Sequence, residues 1–84
     1  MPVTIRYFAS VREALGESDT FDPAGATPTV GEVLAQLQAR SATHAEVLDP
    51  ARGLRAARNL AFCQPDERVA DGDELAFFPP VTGG

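Results

Sequence analysis

The residues best suited to chemistry stand at the end of the chain, where Val81, Thr82, Gly83 and Gly84 follow Pro79-Pro80. Glycine lacks Cβ, so the backbone there is slim, and no side chain shields the Gly84 acyl carbon from a nucleophile or an activating enzyme. A free carboxylate is a poor acyl donor. Adenylation makes it a good one, and the acyl-adenylate then yields a thiocarboxylate with sulfur or an amide with an amine. Most chain ends fray without function, but two prolines fix φ and favour an extended path. They are expected to stiffen the root of the tail and aim it away from the body. Residues 81–84 then reach at most ~14 Å beyond them.

Other reactive groups are scarce. There is no Gly-x-x-x-x-Gly-Lys or Gly-x-Gly-x-x-Gly loop, so the chain is not expected to bind ATP by itself. One histidine, His44, and one cysteine, Cys63, cannot build a triad or a zinc site. His44 falls in a polar stretch and reads as surface decoration. Cys63 reads as a half-buried structural thiol, with no basic sequence neighbour to activate it. Asp71, Asp73 and Glu74 lack the ligand number and spacing of a calcium loop and read as a solvated turn.

Positioning that end requires a scaffold. Val3, Ile5 and Tyr7 alternate with Thr4, Arg6 and Phe8, which is strand periodicity. Ser10-Val11-Arg12-Glu13 has a capping-box pattern, with Gly16 as a stop, predicting a short helix. Residues 19–22 form a candidate return strand before Pro23-Ala24-Gly25. Thr29-Val30-Gly31-Glu32 is a second capping box. Behind it Val30, Val33, Leu34 and Leu37 share one helical face, predicting a helix over about 30–40. Residues 43–48 add a helical turn, and 54–59 and 60–63 are short strand candidates. Asp71-Gly72-Asp73 is a turn. Leu75-Ala76-Phe77-Phe78 is the last strand, ended by Pro79, which cannot donate to a ladder.

One principal helix covers one face of a four- to five-stranded mixed sheet, an α+β two-layer domain. Val3, Ile5, Tyr7, Leu75 and Phe77 are expected beneath the helix. Phe8 and Phe78 take the opposite phase, and Phe62 joins them if its phase matches. An aromatic patch on a face without a helix marks a partner surface or a small core under a loop.

The chain has 84 residues, enough for one domain with a modest core. Its net charge of −5 argues against nucleic-acid binding. Asp66, Glu67, Asp71, Asp73 and Glu74 bunch near the tail, as solubilising charge or as a match for a basic partner. All seven basic residues are arginine, so no lysine side chain is available for self-conjugation. Neither a signal peptide nor a membrane span is evident, and a soluble, cytoplasmic protein is expected.

The stretch Asp71-Gly72-Asp73-Glu74-Leu75-Ala76-Phe77-Phe78-Pro79-Pro80-Val81-Thr82-Gly83-Gly84 resembles the end of the molybdopterin synthase small subunit, the MoaD-type sulfur carrier. Tyr7-Phe8-Ala9-Ser10-Val11-Arg12-Glu13 resembles that family's first strand and helix. Arg58-Asn59-Leu60 departs from its common Val-Asn-Gln, retaining the asparagine. The resemblance implies a ubiquitin-like β-grasp domain over 1–84, with residues 79–84 as the reactive tail. It implies adenylation of Gly84 by an E1-like enzyme, then thiocarboxylation. The tail would enter the large synthase subunit, whose own residues are catalytic, in a heterotetramer, and sulfur would pass to cyclic pyranopterin monophosphate. No cofactor is expected on this chain, ATP being used by the activating partner, and neither nucleic acid nor membrane is an expected partner. Phe8, Phe62 and Phe78 fall at the family's contacts with the large subunit. A thiazole-pathway sulfur carrier, a protein modifier joined to lysines through Gly84, and a passive interaction module remain as alternatives. A β-grasp iron–sulfur protein is excluded by the single cysteine.

Overall fold

A computed structural model describes residues 2–80. Strand β1 (Val3–Tyr7) leads into α1 (Ala9–Leu15), β2 (Ser18–Phe21), α2 (Val30–Gln38) and α3 (Ala42–Val47). A 3-10 turn (Pro50–Arg52) follows, then β3 (Arg55–Arg58), β4 (Ala61–Phe62) and β5 (Glu74–Phe78). The five strands form one mixed sheet in the order β2-β1-β5-β3-β4. The central pair, β1 and β5, is parallel, and the other neighbours are antiparallel.

Alternation decides which side chains the sheet buries. Val3, Ile5 and Tyr7 of β1 and Leu75 and Phe77 of β5 are all buried. They meet Val30, Val33 and Leu37 of α2, with Val11, Leu48 and Val69 closing the edges. The expected inward set is the observed one, because residues two apart on a strand share a face.

α2 starts where its capping box puts it. The Glu32 N–H donates to the Thr29 hydroxyl at 3.1 Å, and the Thr29 N–H donates to the Glu32 carboxylate at 2.8 Å. The Thr29 N–H first, and then the Thr29 hydroxyl, hold the Glu32 carboxyl below its ordinary range. The helix stops at Gln38 rather than near residue 40, because the Arg40 N–H closes a tighter final turn on the Leu37 carbonyl.

α1 corrects the other capping-box reading. Ser10 lies inside the helix, and the N-cap is Phe8, whose side chain makes no capping bond. The tertiary ladder prevails over the local motif. The Phe8 N–H donates to the Phe77 carbonyl at 3.2 Å, Ala9 turns the chain at φ +52, and the Arg12 N–H closes the first turn on the Phe8 carbonyl. Gly16 ends the helix at φ +94, as its position predicts.

His44 is also more engaged than its surroundings in sequence indicate. It lies in α3, with Nδ1 2.7 Å from the Ser41 hydroxyl and Nε2 3.4 Å from the Asp19 carboxylate. The Tyr7 hydroxyl donates to the same Asp19 oxygen at 2.8 Å. Burial, then that hydrogen bond, pushes the Tyr7 phenol above its ordinary range. Asp19 therefore ties β1, β2 and α3 together.

Candidate functional site

Two features of β5 converge on the end of the chain. Its outward residues join an exposed apolar patch, and its last residue leads directly into the tail. Pro79 and Pro80 are half-buried against the body, Pro79 lining a cleft of about 370 Å³ with Val11, Val47 and Leu54 among its walls. Val81, Thr82, Gly83 and Gly84, the expected reactive segment, lie outside the described residues.

The patch is built by register. Ala57 of β3 stands opposite both Ala76 of β5 and Phe62 of β4. Directly paired residues share a face, so Phe62 points outward, which settles its phase. Ala57 and Ala76 make a low floor, and Phe8, Leu60, Phe62 and Phe78 stand around it. Together they line a shallow cavity of about 390 Å³. The Phe62 and Phe78 rings are tilted at 56° with centroids 5.8 Å apart, an edge-leaning aromatic pair. Phe8 is 41% exposed, Phe62 75% and Leu60 92%. Large apolar side chains this exposed, on one face, form a patch available for contact with another molecule.

Leu60 is the member that strand alternation misses. It occupies the two-residue β3–β4 hairpin with Asn59, at φ +70 and +51 respectively. Both central residues of such a turn need φ > 0, which favours Asn-Gly. Asn59 suits its position, but a leucine in the left-handed region is strained. Its presence in a hairpin was the available signal, since an apolar residue replaces the expected glycine.

The hairpin is held by the turn before β5. The Asn59 Nδ2 donates to Asp73 at 3.1 Å, while the Glu74 N–H donates back to the Asn59 side chain at 3.0 Å. Asp73 also accepts from the Ala70 N–H at 2.9 Å and faces the Arg58 guanidinium at 3.6 Å. These contacts hold the Asp73 carboxyl below the usual carboxylate range, the Ala70 bond first and the Asn59 bond next. The turn expected at 71–73 is present, with Asp71 and Gly72 exposed, but Asp73 is a structural hub rather than a solvated acid. Arg58 also faces Glu67 at 3.6 Å, so Glu67 and Asp73 share one cation. Among the described residues no group of histidine, cysteine and acidic side chains is placed to hold a metal.

Cys63 sits on the helix side of the sheet beside a separate cleft of about 360 Å³ that also touches Leu34 and Phe77. Burial, then the Glu67 carboxylate, pushes its thiol pKa up, and Arg58 only partly opposes them. Arg58 is a basic neighbour that the local sequence did not reveal. The thiol is still kept protonated, which is unfavourable for a nucleophile. No helix among the described residues is long and apolar enough to cross a membrane.

A mixed five-stranded sheet grasping one principal helix, its first and last strands paired in parallel at the centre, defines a ubiquitin-like β-grasp domain. The chain belongs to the ThiS family, whose pattern it matches over residues 5–84. It is 40% identical over 82 residues to the molybdopterin synthase sulfur carrier subunit of Escherichia coli K12, covering 98% of this chain and 99% of that one. It is 30% identical to small archaeal modifier protein 3 of Haloferax volcanii, covering both chains fully. Its fold also matches a solved protein–protein complex of subunits 1 and 2 of the molybdopterin-converting factor from Helicobacter pylori. That match has a TM-score of 0.65 and 27% identity, with full coverage of both chains.

Proposed function

We propose that this chain is the sulfur carrier subunit of a molybdopterin synthase, working in the cytoplasm. The observation that carries this reading is continuity: β5 delivers Phe78 to the exposed aromatic patch, and the next residues are the root of a Gly-Gly tail. A partner that covers the patch receives the tail. The full-length similarity to a named carrier supports the same reading.

The chemistry belongs to the Gly84 carboxylate. In the grip of an E1-like enzyme it attacks the α-phosphorus of ATP, and pyrophosphate leaves. A sulfide-level donor then attacks the acyl carbon, AMP leaves, and a thiocarboxylate results. On the large synthase subunit, which supplies the catalytic groups, the sulfur attacks an oxygen-bearing carbon of cyclic pyranopterin monophosphate, and that carbon–oxygen bond breaks, the oxygen leaving as water or staying on the opened phosphate. Water then cleaves the acyl–sulfur bond and restores the carboxylate. A dithiolene holds two sulfurs, so each molybdopterin consumes two loaded carriers. This chain binds no cofactor in the cycle and is not an enzyme alone.

Intact mass of the chain incubated with its activating enzyme, ATP and a sulfur donor tests the reading. One oxygen replaced by sulfur at Gly84 is expected. An unmodified end with sulfur on Cys63 instead overturns it. A second reading, conjugation of Gly84 to lysines of other proteins, is favoured by the full-length similarity to an archaeal modifier protein. It requires the same adenylate and is distinguished by branched Gly-Gly adducts on many cellular proteins.

A further inference from the structure

The antiparallel register of β3 and β5 continues past the last ladder bond. Arg55 stands opposite Phe78, so two positions further out Gly53 comes opposite Pro80. Neither Pro79 nor Pro80 has an N–H to donate to the ladder, and the Gly53 N–H is taken by the Pro50 carbonyl. A ring-on-backbone contact takes its place. A Cβ on Gly53 would lie 3.0 Å from Pro80 Cγ and 3.4 Å from Pro80 Cβ.

The surface under that ring is fixed. Gly53 ends the 3-10 turn in the left-handed region, at φ +82 and ψ +20, its N–H donating to the Pro50 carbonyl at 3.0 Å. The Asp49 carboxylate caps the turn by accepting from the Ala51 N–H at 2.9 Å, and the Arg52 guanidinium donates to the Glu46 carbonyl at 3.1 Å. Two demands therefore meet at Gly53, a left-handed φ and empty space above the backbone. Asparagine tolerates the first but not the second, so the two are separable by experiment.

We propose that Gly53 is a positioning residue for the reactive tail: its bare backbone seats the Pro80 ring and sets the direction in which residues 81–84 leave the body. The inference rests on the reading of Gly84 as the reacting end. A side chain on Gly53 forces Pro80 outward by a few tenths of an ångström or more. The acyl carbon lies up to ~14 Å beyond that pivot, so a small tilt at the root grows along the tail. Misplacement of a reacting centre by about 1 Å costs up to ~100-fold in rate. Torsions along residues 81–84 recover part of this, and about tenfold is expected here.

The test compares wild type, Gly53→Asn, and Gly53→Asn combined with Pro80→Ala, each preloaded as the thiocarboxylate and mixed with the large subunit in single turnovers. Gly53→Asn is expected to transfer sulfur about tenfold more slowly, while its affinity for the large subunit stays within about twofold and its melting temperature near wild type. Pro80→Ala in the same chain removes the clashing Cγ and is expected to restore most of the rate. NMR of the isolated domain supplies a readout independent of sulfur chemistry, because a Gly53 Hα to Pro80 ring contact should be present in wild type and lost in Gly53→Asn. A wild-type rate for Gly53→Asn, a slow rate that Pro80→Ala leaves unchanged, or a missing contact in wild type overturns the proposal. If wild type shows the contact but transfers no sulfur, the seat for Pro80 stands and the sulfur-carrier reading falls.

Discussion

Phe77 and Phe78 are neighbours on one strand and serve opposite faces. Phe77 is buried under α2 with Leu75, Ile5 and Val33, while Phe78 meets exposed Phe62 in a tilted pair over a floor of alanines. The inner face is closed by the chain itself, large residues meeting large residues. The outer face pairs small residues in the middle with large ones around them, a concavity that nothing in the described chain fills. The same alternation of one strand thus builds the core on one side and the exposed apolar patch on the other, and the strand ends where the tail begins.

The comparison can be broken first at the chain's end. Deleting Gly84 should leave the thermal melt unchanged and abolish sulfur transfer, because it shortens reach by about 3.5 Å and removes the reacting carbon. Gly83→Val should likewise fold and fail, if the tail runs in a narrow channel. Turnover at the wild-type rate by either chain would separate the tail from the function.

A smaller effect is expected on the outer face alone. Phe62→Ala should cost ~2 kcal/mol of binding to the large subunit, roughly thirtyfold in affinity, with little change in stability. Calorimetric titration beside a thermal melt reads both numbers. Unchanged affinity would leave the patch without its assigned partner.

Next comes the turn that braces the patch. Asp73→Asn should destabilise the domain at neutral pH by about 1 kcal/mol, as charge-assisted bonds become neutral ones. The folded Asp73 carboxyl is held below its unfolded range, so its contribution is present above the unfolded value. It is lost as pH falls below about 4 and through the lower folded pKa. Melts across pH should show wild type and Asp73→Asn converging in acid. A difference that stays constant down to low pH would place the effect outside Asp73 ionisation.

The smallest effect is the most diagnostic, since fold and docking should move in opposite directions. Leu60→Gly removes a leucine from φ +70 in an exposed hairpin and should stabilise the domain by up to ~1 kcal/mol. The same change should weaken binding to the large subunit severalfold. Tighter folding with unchanged binding would make Leu60 a mere oddity of the turn.

Much of this was legible in the residue order. Alternation in Val3, Ile5, Tyr7, Leu75 and Phe77 assigns the inner face because strand period is fixed by covalent geometry. Thr29 and Glu32 announce α2 because both partners of the capping box lie within four residues. The errors came where distant contacts overrule local ones. Ser10 has a capping pattern, but the Phe8–Phe77 bond starts α1 earlier. His44 looks solvated until β2 brings Asp19 against it. Arg58 meets Glu67 and Asp73 only once the hairpin folds. Gly53 carries no sign in sequence that Pro80, 27 positions later, will rest on it.

The division of β5 between fold and partner is tested most directly by paired variants of its two phenylalanines, each melted and each titrated into the large subunit. Phe77→Ala should lose ~3–5 kcal/mol of stability through the cavity it leaves, while Phe78→Ala should stay folded and lose affinity by roughly thirtyfold. Unfolding of Phe78→Ala, together with a folded Phe77→Ala that only binds more weakly, would contradict the account.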